Sequence, residues 1–262
     1  MVQEAKHQAK LVIEKLSKSF GGVHAVNNVS FKVTPGTFVA LIGPNGAGKT
    51  TCFNMVNGQL KPDSGSIRFG DHELTGKSPS DIWKLGVGRT FQITATYPTM
   101  TVIENVQMAL ISHHKRLFNL IKSASGSYKD EALELLDMVN MAPQAERSCG
   151  VIAYGDLKRV EIAVALANAP RLLLMDEPTA GMAPAERVDL MSLTATIAKE
   201  RNIAVLFTEH DMDTVFTHAD EVLVLNLGEL IAHGTPAQVR KNKQVQQVYL
   251  GAGTTYAKGK RK

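Results

Sequence analysis

Apolar residues along the chain follow two rhythms. Leu11-Val12-Ile13 reads as a strand, and Val29-Ser30-Phe31-Lys32-Val33 alternates apolar with polar, as a half-buried strand does. Pro35-Gly36 turns the chain. The run Phe38-Val39-Ala40-Leu41-Ile42 is continuously apolar, the pattern of a strand covered on both faces. A Gly-rich loop then leads into a predicted helix over about Lys49 to Asn57, followed by a turn at Pro62-Asp63-Ser64-Gly65 and a short strand from Ser66 to Phe69. Ser78 before Pro79 opens a second helix, and Thr101 with Glu104 forms a capping-box pattern that opens a third. From there to Ala169 the rhythm is mainly helical, with Asp130 to Met141 apolar on a broad face and a Ser/Gly-rich loop at Ser123 to Tyr128. Strand signals return at Leu172 to Met175, Ala204 to Phe207 and Val222 to Leu225, and Thr235 caps a last helix. No internal repeat is visible. Strands and helices alternate at both ends with a helical block between them, which predicts a parallel-sheet α/β core carrying a helical lobe.

Composition narrows this picture. With 262 residues and 44% hydrophobic content the chain can bury a sizeable core, and 21% charged residues is ordinary for a globular protein. A net charge of +4 is too small an excess to argue for a nucleic-acid partner. Cys52 and Cys149 make neither a disulfide framework nor a Cys-x-x-Cys pair, which fits a reducing, cytoplasmic setting. Cys52 is expected to pack inside a helix. No apolar run reaches the ~18–20 residues that span a bilayer. The polar start, Met1 to Lys10, reads as frayed and lacks an apolar signal region. Any service to a membrane would therefore go through a partner.

The chemistry is concentrated in three boxes. Gly43-Pro44-Asn45-Gly46-Ala47-Gly48-Lys49-Thr50 matches G-x-x-x-x-G-K-[ST], between a buried strand and a helix. Glycines let backbone N–H groups approach phosphate oxygens, and the helix N-terminus adds partial positive charge. Lys49 is expected on the β- and γ-phosphates, and the Thr50 hydroxyl on Mg²⁺. Thr51 continues the same helix turn and joins the nucleotide-binding set. In the second box, Leu172-Leu173-Leu174-Met175-Asp176-Glu177-Pro178, an apolar strand ends in two acids. Asp176 can hold the Mg²⁺ shell, and Glu177 is placed to polarise an attacking water. In the third, Thr208-Glu209-His210-Asp211 follows another apolar strand, so His210 should face the crevice at the strand ends, in reach of the γ-phosphate. His113-His114 and the remaining histidines lack partners at metal-ligand spacing and read as surface residues.

These boxes, in this order, resemble ATP-binding-cassette (ABC) proteins across nearly the whole chain. The resemblance implies a P-loop ATPase with a mixed sheet, an antiparallel β subdomain and an inserted helical lobe. It divides the chain into a core at about 10–95 and 165–235, a lobe at about 96–164, and a C-terminal helix with basic tail at 236–262. It also implies that Phe20, in Ser19-Phe20-Gly21-Gly22, stacks on adenine. Gln92, in Arg89-Thr90-Phe91-Gln92, would touch Mg²⁺ or the attacking water and link core to lobe. Ile152-Ala153-Tyr154-Gly155-Asp156 falls where the family signature lies, so Tyr154 and Gly155 would meet the γ-phosphate of ATP bound to a second subunit. Two composite sites in a head-to-tail pair follow from that.

The segment departs from the commonest signature, Leu-Ser-Gly-Gly-Gln. Ala153 removes a hydroxyl donor, and Asp156 puts a negative charge where phosphate is expected. Ala183 stands where many members have aspartate. Phe20-Gly21-Gly22, Met100 to Asn105, Ala153-Tyr154-Gly155, Ala180-Gly181-Met182, Glu209 to Met212 and Tyr249-Leu250-Gly251 resemble the ATPase subunits of branched-chain amino-acid importers, of the LivG type. The implied activity is ATP hydrolysis driving import of a small solute. The implied partners are membrane permeases, a second ABC ATPase subunit and, indirectly, an extracytoplasmic binding protein, with the chain peripheral on the cytoplasmic face of the inner membrane. Relatives with these features also serve importers of urea, amides and aromatic or carboxylic acids, and an exporter, a lipid-extraction ATPase or a non-transport ABC protein would share the core. The permease grip is expected on the block from about Met100 to Leu136. The basic tail Lys258 to Lys262 reads as a solubilising end, with contact to anionic lipid headgroups as the alternative.

Overall fold

The computed structural model describes residues 10–90, 96–114 and 128–250. In chain order the elements are β1 (Leu11–Phe20), β2 (Val23–Val33), β3 (Phe38–Ile42), α1 (Lys49–Val56), β4 (Ser64–Phe69), β5 (His72–Glu73), α2 (Pro79–Lys84), β6 (Val87–Thr90), α3 (Val102–His113) and α4 (Lys129–Met138). Then come α5 (Tyr154–Leu166), β7 (Leu172–Asp176), α6 (Pro184–Glu200), β8 (Ala204–Thr208), α7 (Met212–His218), β9 (Glu221–Asn226), β10 (Glu229–Gly234), α8 (Pro236–Lys241) and α9 (Lys243–Leu250). The polar N-terminal residues before Lys10, Phe91 and Gln92, the Ser123 to Ser127 loop reading, Gly251 and the basic tail lie outside the described residues.

Two sheets form. One is antiparallel, in the order β2-β1-β4-β5. The other runs β10-β9-β3-β8-β7-β6, parallel except for the edge strand β10, which returns antiparallel on β9. The continuous apolar runs now have a physical reason. Successive side chains of a strand face opposite ways, and here each way leads to a separate core. Ala40, Leu173, Val205, Phe207 and Val222 point into a core shared with the helices of the lobe and α6. Leu41, Leu172, Leu174, Leu206 and Leu223 point into a second core shared with α1 and the antiparallel sheet. Phe38 and Phe207 pack ring on ring, 4.7 Å between centroids.

Caps bound the helices as the sequence predicts. Ser78 Oγ accepts from the Asp81 N–H ahead of Pro79. Thr101 and Glu104 complete a capping box at α3, and Thr235 with Gln238 another at α8. Helices α3, α4 and α5 pack on one another, and their apolar faces, through Val102, Val106, Leu110, Leu136 and Val160, join the first core. Several features exceed the sequence reading. Strand β1 runs to Phe20, bending through register shifts against β2. Strand β6 carries Arg89-Thr90 into the parallel sheet beside β7. His113 is half-buried rather than a free surface residue: its Nδ1 lies 2.8 Å from Asn168 Oδ1, and Asn168 Nδ2 donates to the Trp83 carbonyl at 2.9 Å. That chain of contacts joins α2, α3 and the end of α5. Among the described residues no helix is long and apolar enough to cross a membrane.

Candidate active site at the C-terminal edge of the parallel sheet

Strand β8 lies between β3 and β7, so the ends of all three strands adjoin. In a parallel sheet that edge is where a ligand crevice forms. Beyond β3 the chain enters the loop 43–48 and then α1, whose N-cap is Gly48 at φ 101°. The loop is tightly seated. A Cβ at Gly43 would come within 2.2 Å of the Leu225 carbonyl oxygen, and one at Gly48 within 2.2 Å of the Ala25 carbonyl oxygen. Both also hold positive φ, so only glycine serves at either position. Backbone bonds from the Gly228 N–H to the Ala47 carbonyl (3.1 Å) and from the Asn27 N–H to the Gly228 carbonyl (2.8 Å) brace the loop from the β9–β10 turn. Asn45, Gly46 and Thr50 face solvent, while Pro44 and Thr51 are half-buried.

Lys49 is buried, and its ammonium donates to the Gly43 carbonyl at 2.7 Å and the Pro44 carbonyl at 3.1 Å. Burial pushes its pKa below the ordinary lysine value, while the charges of Glu177 and Asp176 pull the other way. An anion at the loop would offset that desolvation.

Across the crevice, Asp176 ends β7 and pairs in register with Thr208. Thr208 Oγ1 donates to Asp176 Oδ1 at 2.7 Å and accepts from the Glu177 N–H at 3.0 Å. Glu177 sits at φ 48°, in the left-handed region that a non-glycine residue rarely adopts. The double hold of its N–H on Thr208, through the hydroxyl and the carbonyl at 3.2 Å, fixes that conformation. It turns the carboxylate toward His210, whose Nε2 lies 2.7 Å from Glu177 Oε1. His210 is half-exposed and Glu177 less so, at 50% and 24% of their side chains. Buried Glu209 accepts from the Thr179 N–H and hydroxyl at 3.0 and 2.7 Å, clamping the segment after Glu177 to the segment before His210.

The structure thus gathers Lys49, Asp176, Glu177 and His210 at one edge. Phe20 ends β1 half-exposed, with the Lys18 ammonium 5.6 Å from its ring centroid. Tyr154 and Gly155 open α5, where their neighbours within the chain are Ala180, Gly181 and Glu186. Asp156 accepts from the Gln144 side chain at 2.8 Å, inside its own lobe. Gln92 lies outside the described residues. Three participants escape a linear reading: Thr208, Glu209 and Arg89, whose Nη2 stands 3.6 Å from Asp176 Oδ2. Thr208 and Glu209 lie within the third box, but their bonds run across strands. Among the described residues no three His, Cys, Asp or Glu side chains could hold a metal ion by themselves. The donors present, a carboxylate and a threonine hydroxyl, are hard oxygen ligands that suit Mg²⁺ when phosphate oxygens complete the shell.

Comparisons with known proteins cover nearly the whole chain. The family described as ABC transporter matches residues 26–180, and the family described as branched-chain amino acid ATP-binding cassette transporter matches residues 229–254. The high-affinity branched-chain amino acid transport ATP-binding protein BraF of Pseudomonas aeruginosa is 41% identical over 248 residues, covering 92% of this chain and 97% of BraF. The corresponding LivG of Escherichia coli is 39% identical over 254 residues, covering 93% and 98%. Among solved structures, the ADP conformation of MJ1267, an ATP-binding cassette of an ABC transporter, superposes with a TM-score of 0.82 at 31% identity, covering 93% of this chain and 99% of that one. The dimeric bacterial ABC transporter cassette MJ0796 superposes with a TM-score of 0.72 at 26% identity, covering 86% and 98%. The chain belongs to the ABC transporter family, and within it to the LivG/BraF type of ATP-binding cassette.

Proposed function

We propose that the chain is the ATP-hydrolysing subunit of an importer for branched-chain amino acids, working as one half of an ATPase dimer beneath membrane permeases. The observation that carries the enzymatic part is the convergence of Lys49, Asp176, Glu177 and His210 on one strand edge. The solute rests on the relatives' names and on the C-terminal match over 229–254.

In this reading the backbone of Gly43, Pro44, Asn45, Gly46, Ala47 and Gly48, with the first turn of α1 at Thr50 and Thr51, surrounds the phosphates. Lys49 exchanges its loop carbonyls for phosphate oxygens. Phe20 offers its exposed ring to adenine. Thr50, Asp176 and Gln92 would hold Mg²⁺, which would draw charge from the phosphate oxygens. Glu177 accepts a proton from the attacking water, and His210 Nε2, 2.7 Å from Glu177 Oε1, keeps that carboxylate aimed and reaches the γ-phosphate. Tyr154 and Gly155 serve the second subunit's nucleotide, through the N-terminus of α5. The permease grips the block from about Met100 to Leu136, of which residues 115–127 lie outside the described residues; Ala109 and Ser112 of this block line a cleft of about 320 Å³ with Ile82, Trp83 and Val164. In this reading the chain is a peripheral subunit on the cytoplasmic face of the membrane.

The test is a membrane pull-down with tagged Glu177→Gln protein and Mg-ATP, read by mass spectrometry. Polytopic permeases with a second, similar ATPase are expected. Recovery of soluble partners alone would refute the transport reading and leave the ATPase standing.

A further inference from the structure

Arg89 has a role that no sequence box assigns. Its guanidinium lies among three elements. Nη1 donates to Gln59 Oε1 at 2.9 Å, and Asn54 Oδ1 lies 3.5 Å from Nη1 and 3.4 Å from Nη2. Asn54 belongs to α1, the helix that begins with Lys49 and Thr50. On the other side, Nη2 stands 3.6 Å from Asp176 Oδ2, too far for a hydrogen bond but within an ion pair. Both side chains are largely shielded, at 14% and 10% exposed. Asp176 Oδ1 is already held by Thr208, so its two oxygens face a hydroxyl and a cation. Arg89 also forms part of the wall of the 320 Å³ cleft, beside Gln59 and Trp83.

A guanidinium at that distance does two things to a carboxylate. It fixes the carboxylate's orientation, and it neutralises charge that a divalent cation would otherwise use. In a shielded site two cations drawn to one carboxylate repel strongly. We infer that Arg89 is a positioning residue that ties Asp176 to α1 and raises the free Mg²⁺ concentration at which the nucleotide site takes up its cation. The inference rests on the ATPase reading of the same site.

The test uses the full chain carrying Glu177→Gln, so that turnover does not consume the probe. Binding of N-methylanthraniloyl-ATP, a fluorescent analogue, is followed in EDTA and then as Mg²⁺ is titrated in. Adding Arg89→Gln is expected to lower the half-saturating Mg²⁺ about three- to tenfold, with affinity in EDTA changed less than about twofold. Arg89→Lys keeps the charge but not the planar fork that reaches Gln59 and Asn54, and is expected to leave the Mg²⁺ midpoint closer to the parent's than Arg89→Gln does. Arg89→Met, closer in shape, serves if Arg89→Gln folds poorly. An unchanged Mg²⁺ midpoint in a folded charge-free variant would overturn the inference, and a lowered Tm beside it would make Arg89 a packing tie only. Failure of the Glu177→Gln chain itself to bind the analogue would instead overturn the ATPase reading.

Discussion

At the scale of single residues, the site sets electrostatics against burial. Lys49 is shielded enough that its charged form is penalised. A lysine whose folded pKa is depressed destabilises the fold at neutral pH, and the penalty fades as pH rises through the lowered value toward 10.5. Lys49→Met is therefore expected to raise the Tm at pH 7 while abolishing ATP binding. The gap to the parent should narrow at pH 10, as differential scanning fluorimetry can check. Cys52 shows burial acting alone. Its thiol is fully enclosed and pushed up to about 12, and burial raises Cys149 as well. Both should resist iodoacetamide at pH 8 in the folded chain and react in urea, a contrast that peptide mass spectrometry reads. The sequence made Lys49, Asp176 and Glu177 legible because each sits in a box whose spacing has a mechanical reason. Arg89 and Thr208 were not legible as site residues. Their partners lie on other strands, and only the sheet order brings them together.

At the scale of elements, the strands repay inspection of their two faces. Leu172 and Leu174 enter one core and Leu173 the other, so the apolar run at β7 is a consequence of sheet burial on both sides. Periodicity alone recognises such a run as buried but cannot order it in a sheet, which is why β6 and the β9–β10 return were missed. Leu174→Ala is expected to cost about 2–5 kcal/mol in urea unfolding. The start of α6 lacks a side-chain cap, as does that of α5 at Ala153. Ser78, Thr101 and Thr235 each accept a backbone N–H, whereas the N-cap Ala183 has no side-chain acceptor and only donates, from its own N–H to Glu186 Oε2 at 3.2 Å. Ala183 is exposed with extended backbone, so an aspartate fits without rearrangement. Ala183→Asp should add about 1 kcal/mol to unfolding free energy. Asp156 stands in the signature segment, and the Gln144 side chain donates to it within the lobe, which orients the carboxylate without removing its charge. Asp156→Gln is expected to raise the ATPase rate or the dimer affinity, and no change in either would mean that the acid points away from phosphate.

At the scale of the whole molecule, one parallel sheet carries the nucleotide edge, an antiparallel sheet shares a core with α1, and Tyr154 and Gly155 open α5 beside Ala180, Gly181 and Glu186. In the proposed dimer each chain completes the other's site. Size-exclusion chromatography with light scattering should find Glu177→Gln protein dimeric with Mg-ATP and monomeric without it. The measurement closest to the central claim is single-turnover hydrolysis of prebound Mg-ATP by the parent and by Glu177→Gln. The account predicts that both chains bind ATP with similar affinity and that the variant cleaves it at least about a hundredfold more slowly. Cleavage by Glu177→Gln at the parent's rate would contradict the assignment of Glu177 as the base, and with it the account of how this strand edge works.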